Sequence, residues 1–138
     1  ARLERDVFSH TGVKGVILHQ GLNDIRHHPE YTAEKIIKRM REIIAATHQQ
    51  GIKIYGATLT PFKGSELYTE KGEHTRQAVN EWIRTSEEFD GVIDFDKALR
   101  NPESPKHLLP VYNAGDNFHP NDEGYKRMAE SVELSLFN

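Results

Sequence analysis

The sequence predicts an α/β protein in which a parallel sheet carries helices on both faces. Two observations predict this fold: short apolar runs of strand length occur along the chain, and amphipathic stretches of helical period alternate with them. Strands that alternate with helices favour a parallel sheet, and right-handed crossovers place such strands side by side. The 138 residues are enough for one small domain and too few for two.

The composition excludes several functional classes. With 36% hydrophobic and 28% charged residues the chain has the profile of a globular domain. Its net charge of -3 gives no sign of the basic patch that binds nucleic acid. No apolar run approaches the roughly 18 residues that span a bilayer, and the lack of cysteine excludes disulfides and thiolate metal sites. The compartment, secreted or cytoplasmic, stays open.

The chain opens with a segment whose spacing predicts the end of a helix. Leu3, Val7 and Phe8 have helical spacing, Gly12 lies where a helix would stop, and no capping residue precedes Leu3. We therefore expect a helix whose start is missing. Residues 13–19 form a short apolar run, typical of a buried central strand. A strand of this kind would expose unpaired backbone groups at an edge, so we expect a neighbour to be missing there.

The next helix is the clearest element of the sequence. Thr32 can cap its start and Gly51 ends it. Its apolar residues recur at intervals of three and four and form one stripe, which consists of Ile36, Ile37, Met40, Ile43, Ile44 and Thr47. Residues 52–59 then form the second strand, which Pro61 closes.

Further helices and a third strand follow in the second half of the chain. A third helix is marked by an apolar face whose tryptophan we expect in the core, and this face comprises Ala78, Val79, Trp82 and Ile83. Residues 91–95 form the third strand, and residues 99–115 form a long stretch without strong periodicity, of a kind that is often functional. Asn121 or Asp122 caps the last helix, one side of which carries Tyr125, Met128, Ala129 and Val132.

Two polar segments fall where open α/β sheets bind ligands, beyond the carboxyl ends of the strands. In residues 115–121, a turn can fold the carboxylate of Asp116 onto the imidazole of His119. The carboxylate would fix the histidine tautomer and leave the other ring nitrogen as a general base. In residues 19–24, Asn23 offers two uncharged donors that suit a developing oxyanion. Gly21 allows a sharp backbone turn or a close approach to substrate.

Each motif alone has a plainer interpretation. Asp-x-x-His ahead of a helix is often only a capped turn, and Gly-x-Asn-Asp after a strand is usually a turn as well. Their combination, in this order and at strand ends, is more specific.

The ordered pair of motifs resembles the SGNH/GDSL family of serine esterases and lipases. Gly21-Leu-Asn-Asp24 resembles the third conserved block of that family, and Asp116-Asn-Phe-His119 resembles the fifth. The resemblance covers essentially the whole chain. It implies a three-layer α/β/α sandwich with a flavodoxin-like parallel sheet, of which residues 1–138 form the C-terminal part and hold the last three strands.

The resemblance also implies a function and its residues. It implies an ester hydrolase that works through an acyl-enzyme on a small-molecule ester, with Asp116 and His119 in the catalytic triad and Asn23 in the oxyanion hole. Gly21, Leu22 and Phe118 are expected to line the substrate site. No metal or organic cofactor is implied.

The chain departs from the family pattern in one important way. The first block, Gly-Asp-Ser with the nucleophile, and the glycine of the second block are not found in it. We expect the serine on an N-terminal segment or on a separate chain, and we expect residues 1–138 alone to be inactive. Ser65, the loop serine beside a glycine, is a weak substitute because a strand-end turn normally presents the nucleophile.

Four alternatives remain open. The chain could be a non-catalytic binding module that kept the cleft and lost the serine, or one part of a nicked or separately encoded two-chain enzyme. His27 and His28, expected in a loop and followed by Glu30, could form half of a metal site, although zinc needs three or four converging ligands. His107 lies in the long stretch and could line the cleft.

Overall fold

A computed structural model of the protein describes residues 5–10 and 13–136, with side chains described from residue 15 to residue 135. The strands are β1 (Arg5–His10), β2 (Val13–Leu18), β3 (Lys53–Ala57), β4 (Gly91–Ile93), β5 (Arg100–Asn101) and β6 (Ser104–Leu108). The helices are α1 (Leu22–His27), α2 (Ala33–Gln49), α3 (Glu70–Thr85), α4 (Phe95–Leu99) and α5 (Asp122–Leu136), with a 3-10 turn at Pro110–Tyr112. None of the helices in these ranges is long and apolar enough to cross a membrane.

The main sheet has the strand order β1-β2-β3-β4. Strands β2, β3 and β4 are parallel, with Val16 opposite Ile54 and Tyr55 opposite Gly91. The three parallel strands predicted from the apolar runs are thus confirmed. The sequence did not predict the separate antiparallel pair β5–β6.

The prediction for the opening segment is wrong over the residues that the structure describes. Residues 5–10 form the strand β1, which runs antiparallel to β2 and pairs with it from Arg5–Leu18 to His10–Val13. Backbone pairing along the edge of β2 satisfies donors and acceptors that a helix there would leave open, so it outweighs the helical spacing. The expected bare edge of β2 is therefore covered. Leu3 and Gly12, on which the helix prediction also rested, lie outside the described residues.

The helix α2 confirms its predicted signals. The Thr32 hydroxyl accepts a hydrogen bond from the Lys35 backbone N–H at 3.1 Å, which caps the first turn. The helix ends at Gln49, and Gly51 follows with a φ of 73°. The buried face of the helix consists of Ile36, Met40, Ile44 and Thr47, all within the predicted stripe.

Alternating side chains of the strands give the sheet a core on each face. Val16, Leu18 and Ile54 pack on one face against α2 and α3, in a cluster that the partly buried Trp82 joins. Ile17 points to the other face, where a second cluster is formed with Ala57, Ile93, Phe95, Met128 and Val132. Helices thus cover both faces, as expected of an α/β/α sandwich.

A short helix occupies a segment that the sequence predicted as a turn and loop. Helix α1 follows directly on Gly21 and includes His27, which was expected in a loop. It forms because Leu22 and Ile25 are buried in the core, at 8% and 2% exposure. Burial of these two side chains stabilises a helix too short to form by itself.

Candidate active site

Gly21 sets the direction in which the chain leaves β2. Its φ of 119° is a conformation that side-chain-bearing residues rarely adopt, and a Cβ there would meet the side chains of Ile36 and Leu59 at 3.4 and 3.5 Å. The turn at Gly21 starts α1, so that Asn23 lies in the first turn of the helix with its side chain exposed.

The loop of residues 113–121, which we call the His119 loop, has an ordered backbone. The Asn113 side-chain oxygen accepts the backbone N–H groups of Gly115 at 2.8 Å and Asn117 at 3.1 Å. The backbone N–H of Ala114 donates to the carbonyl of His119 at 3.0 Å. Asn117 has a φ of 61°, which asparagine tolerates better than most residues. These bonds fix the loop before any substrate binds.

Asp116 and His119 form the hydrogen-bonded pair that their spacing predicts. Asp116 Oδ2 lies 2.6 Å from His119 Nδ1, and Nδ1 is the donor because a carboxylate only accepts. The other carboxylate oxygen, Oδ1, accepts the backbone N–H groups of Phe118 at 2.9 Å and His119 at 2.8 Å. The bond from the imidazole, followed by that from the His119 backbone, holds the pKa of Asp116 well below its usual range. This arrangement leaves Nε2 as the nitrogen able to act as a base.

A pocket of about 440 Å³ lies at the carboxyl ends of the three parallel strands. His19, Thr60 and Phe95, which follow β2, β3 and β4, contribute to its wall. The other lining residues are Leu22, Asn23, Phe118, His119, Pro120, Tyr125, Met128, Ala129 and Val132. The wall is largely apolar and carries a few convergent polar groups, as is typical of sites for small molecules.

The structure brings most of the predicted site residues together. Asn23 and His119 line the same pocket, together with Leu22 and Phe118. Asp116 lies outside the lining and reaches the site through His119. Gly21 is not among the residues that line the pocket and forms the sharp turn into α1, one of the two roles expected of it.

A buried ion cluster lies next to a residue of the pocket wall. The Arg76 guanidinium contacts the Glu73 carboxylate at 2.7 Å and the Asp96 carboxylate at 2.8 Å, and it donates to the Leu59 carbonyl at 3.0 Å. Because Leu59 directly precedes the pocket residue Thr60, the cluster ties the end of β3 to α3 and α4. Nothing in the sequence pattern predicted this cluster, since charged helix positions normally predict a solvated face.

Sequence reasoning also missed Arg26. Its guanidinium carbon lies 3.6 Å from the centroid of the Phe118 ring, and the Phe118 and His119 rings meet edge to face with centroids 4.6 Å apart. Arg26 is three residues beyond Asn23, a helical spacing that would have been informative had α1 been predicted.

No serine is among the residues that line the pocket, within the side chains that the structure describes. Ser65 is buried, and its hydroxyl has no hydrogen-bond partner among the described residues. Ser104 lies in β6, where its hydroxyl is 2.7 Å from His107 Nδ1. His107 therefore belongs to a local pair in the β5–β6 hairpin and not to the pocket wall.

His27, the last residue of α1, and His28, which follows it, do not gather into a metal site among the described residues. His28 Nδ1 lies 3.4 Å from Glu30 and its ring stacks on Tyr31. Among residues 15–135, no group of three or more His, Cys, Asp or Glu side chains could hold a metal ion.

Comparison with known proteins identifies the family. The fold and the pocket define the class first: an α/β/α protein with a pocket at the carboxyl edge of a parallel sheet. The family model of the GDSL-like lipase/acylhydrolase family matches residues 1–127, and the chain belongs to this family. No curated protein matches it in sequence.

Solved structures share the fold. A GDSL-like lipase from Bacteroides thetaiotaomicron superimposes with a TM-score of 0.73 at 17% identity, over 86% of this chain and 59% of the other. A G-D-S-L family protein from Desulfitobacterium hafniense gives 0.69 at 20% identity, over 86% and 62%. The chain therefore spans about three fifths of the length of these structures.

Proposed function

We propose that this chain supplies the general base, its orienting carboxylate and one oxyanion donor of a serine ester hydrolase. The observation that carries the proposal is the 2.6 Å hydrogen bond between Asp116 Oδ2 and His119 Nδ1, at a pocket that Asn23 also lines. A base, the group that orients it and a neutral donor within one pocket are the parts that acyl transfer requires. Membership of the GDSL-like family supports the same reaction class.

Each residue has a defined role in the proposed reaction. His119 Nε2 takes the proton of the attacking serine hydroxyl, and the serine oxygen bonds to the ester carbonyl carbon. Asp116 keeps Nδ1 protonated and stabilises the imidazolium that forms. The Asn23 amide donates to the carbonyl oxygen as it gains negative charge. The imidazolium then protonates the departing alcohol, and water hydrolyses the acyl-enzyme through the same base.

In this proposal the nucleophilic serine lies outside the 138 residues. None of the described serines lines the pocket, and Ser65 is buried away from it. A segment or chain that carries a Gly-Asp-Ser block would complete the triad and the oxyanion hole. Residues 1–138 alone would then be inactive, because the acyl-enzyme has no oxygen on which to form.

The pocket suits a small ester with an apolar group. Its volume of about 440 Å³ falls within the range of small-molecule sites. Leu22 and Phe118 line the pocket and are next to Asn23 and His119 in the sequence. Met128 and Val132 add apolar wall from α5. We assign the acyl or alkyl part of the substrate to this wall.

A second candidate is a binding module that uses the same pocket without chemistry. The absence of serine from the described pocket wall is the observation that favours it. The two candidates differ in their response to a serine-directed reagent, because a binding module has no activated serine to label.

The test combines a fluorophosphonate probe with hydrolysis of p-nitrophenyl butyrate by the full-length protein. We expect one labelled serine, mapped by mass spectrometry outside residues 1–138, and no labelling of residues 1–138 expressed alone. His119→Ala should lower the turnover rate by about four to six orders of magnitude, as single triad deletions do in related enzymes. His74→Ala, on the exposed face of α3, is the matched control.

Three outcomes would contradict parts of this proposal. If His119→Ala kept most of the wild-type rate, the base would be misassigned. Labelling at Ser65 or Ser104 would place the nucleophile within this chain. A full-length protein that neither labels nor hydrolyses esters would support the binding module instead.

A further inference from the structure

The Phe118 ring contacts two polar side chains, the guanidinium of Arg26 and the imidazole of His119. The Arg26 guanidinium covers one face at 3.6 Å, and the imidazole of His119 meets the ring edge to face at 4.6 Å. A guanidinium at this distance is attracted by the negative face of the aromatic ring. Phe118 thus contacts both Arg26 and His119.

Arg26 has little else to bind. Its Nε is buried without a hydrogen-bond partner among the described residues, and no described carboxylate lies within ion-pair distance of its guanidinium. Burial lowers the pKa of Arg26, while the more distant carboxylates of Asp116 and Glu66 oppose that shift. A buried unpaired donor is unfavourable, so its place in the fold needs a compensating contact. The Phe118 ring is the contact that the structure provides.

The position of Arg26 connects the two halves of the pocket. Helix α1 carries Asn23 one turn before Arg26, and the His119 loop carries Phe118 next to the base. Hydrogen bonds to the Asn113 side-chain oxygen fix the backbone of the loop but do not reach α1. The link between Arg26 and Phe118 therefore joins the element with the amide donor to the loop with the base.

We propose that Arg26 is a positioning residue, which holds the His119 imidazole in register with Asn23 by clamping the Phe118 ring. This inference rests on the proposed ester hydrolase function. Arg26 acts through Phe118 and contacts no reacting atom. Such a residue affects the turnover rate through geometry, because a base must lie within hydrogen-bond reach of the proton it removes.

The experiment measures kcat, KM and Tm for Arg26→Met, Arg26→Lys, Phe118→Leu and the double variant Arg26→Met/Phe118→Leu in the full-length protein. Arg26→Met should lower kcat by about 2- to 30-fold, the range that corresponds to measured cation–π energies, with KM nearly unchanged. Arg26→Lys should recover part of the loss, since an ammonium also binds an aromatic face. The double variant should lose no more than the larger single loss, because both changes break one contact.

Arg41→Met is the matched control. Arg41 on α2 also faces an aromatic ring, that of Trp82 at 5.7 Å, and it lies outside the pocket. It should keep the wild-type kcat. Two readouts distinguish positioning from a general packing role: the fall in kcat at nearly constant KM, and its partial rescue by Arg26→Lys.

Two results would overturn the positioning role of Arg26. An unchanged kcat in Arg26→Met is one, and a double variant that loses the product of the two single losses is the other. A refuted role of Arg26 is distinguishable from a refuted ester hydrolase function. If the wild type hydrolyses esters and His119→Ala abolishes this, only the role of Arg26 is refuted, whereas an inactive wild type refutes the function itself.

Discussion

The exchange Asp116→Asn separates the electrostatic role of Asp116 from its structural one. The amide oxygen of asparagine can still accept the backbone N–H groups of Phe118 and His119, which Oδ1 now accepts at 2.9 and 2.8 Å. Its NH2 group, however, would face His119 Nδ1 in place of a carboxylate oxygen. Nδ1 must then accept, the ring proton moves to Nε2, and the base presents the wrong tautomer to the serine.

The expected effects on activity and on stability differ by orders of magnitude. In a Ser-His-Asp triad the wrong tautomer costs about 10⁴ in turnover rate, which is about 5.4 kcal/mol of barrier. Two charge-assisted backbone bonds become neutral ones, at about 1 kcal/mol each or less, since the Asp116 side chain is 51% exposed. Even a loss of about 3 kcal/mol from a stability of about 5 leaves roughly 97% of the protein folded. Unfolding therefore accounts for almost none of the lost activity.

The assay compares hydrolysis of p-nitrophenyl butyrate and thermal unfolding for the full-length protein and two variants. Asp116→Asn should keep a cooperative transition and lose about four orders of magnitude in turnover rate. Asp122→Asn, at the exposed start of α5, should change the rate by less than about twofold, because it lies outside the hydrogen bonds of His119. The role of Asp116 in fixing the His119 tautomer is refuted if Asp116→Asn keeps more than about a tenth of the wild-type rate with normal unfolding.

Three further predictions concern the same pocket and its support. Asn23→Ala should lower kcat by about 10²- to 10³-fold with little change in KM, as expected for a donor to charge present only in the transition state; a changed KM with unchanged kcat would move Asn23 from catalysis to binding. Glu73→Ala should destabilise the protein by about 3 kcal/mol in urea unfolding, because the buried Arg76 loses its 2.7 Å partner and keeps only the Asp96 carboxylate at 2.8 Å, whereas Glu70→Ala, exposed in the same helix, should cost less than about 1 kcal/mol. The pKa of Asp116 is depressed in the folded state, so its contribution to stability is complete above about pH 4, the unfolded value, and is lost only as pH falls through the folded pKa. The difference in Tm between wild type and Asp116→Ala should thus not shrink between pH 8 and pH 5, and a difference that shrinks already at pH 6 would contradict the assignment.

The elements predicted well are those whose signals are local and repeated. In α2 the apolar stripe, the Thr32 cap and the stop near Gly51 all indicated one helix, and the structure has it. The parallel strands were visible because strands covered on both faces are apolar along their length. The pair of Asp116 and His119 belongs to this group too, since a bond between residues three apart depends on a single turn.

The elements predicted poorly depend on distant partners. Helix α1 has six residues, less than two turns, so no periodicity could show; it exists because Leu22 and Ile25 find the core. The spacing of residues 5–10 indicated a helix, yet that segment pairs with β2 over six residues on each strand. In the β5–β6 hairpin, the run Ser104–Leu108 has neither alternation nor strong strand propensity, and its pairing with Arg100–Asn101 determines its conformation.

The same distinction explains why a sequence motif indicates the chemistry of a site before it indicates its precision. Asp116 and His119 form the hydrogen-bonded pair of the proposed base within one loop, whereas the place of that pair relative to Asn23 depends on contacts between loop and helix. Arg26 and Phe118 are 92 positions apart, and their contact exists only because the short helix α1 forms. A polar contact across such a distance has no periodicity and no fixed spacing. The residues that align a site are therefore less visible in sequence than those that react, although a shift of about 1 Å in alignment costs about 10²-fold in rate.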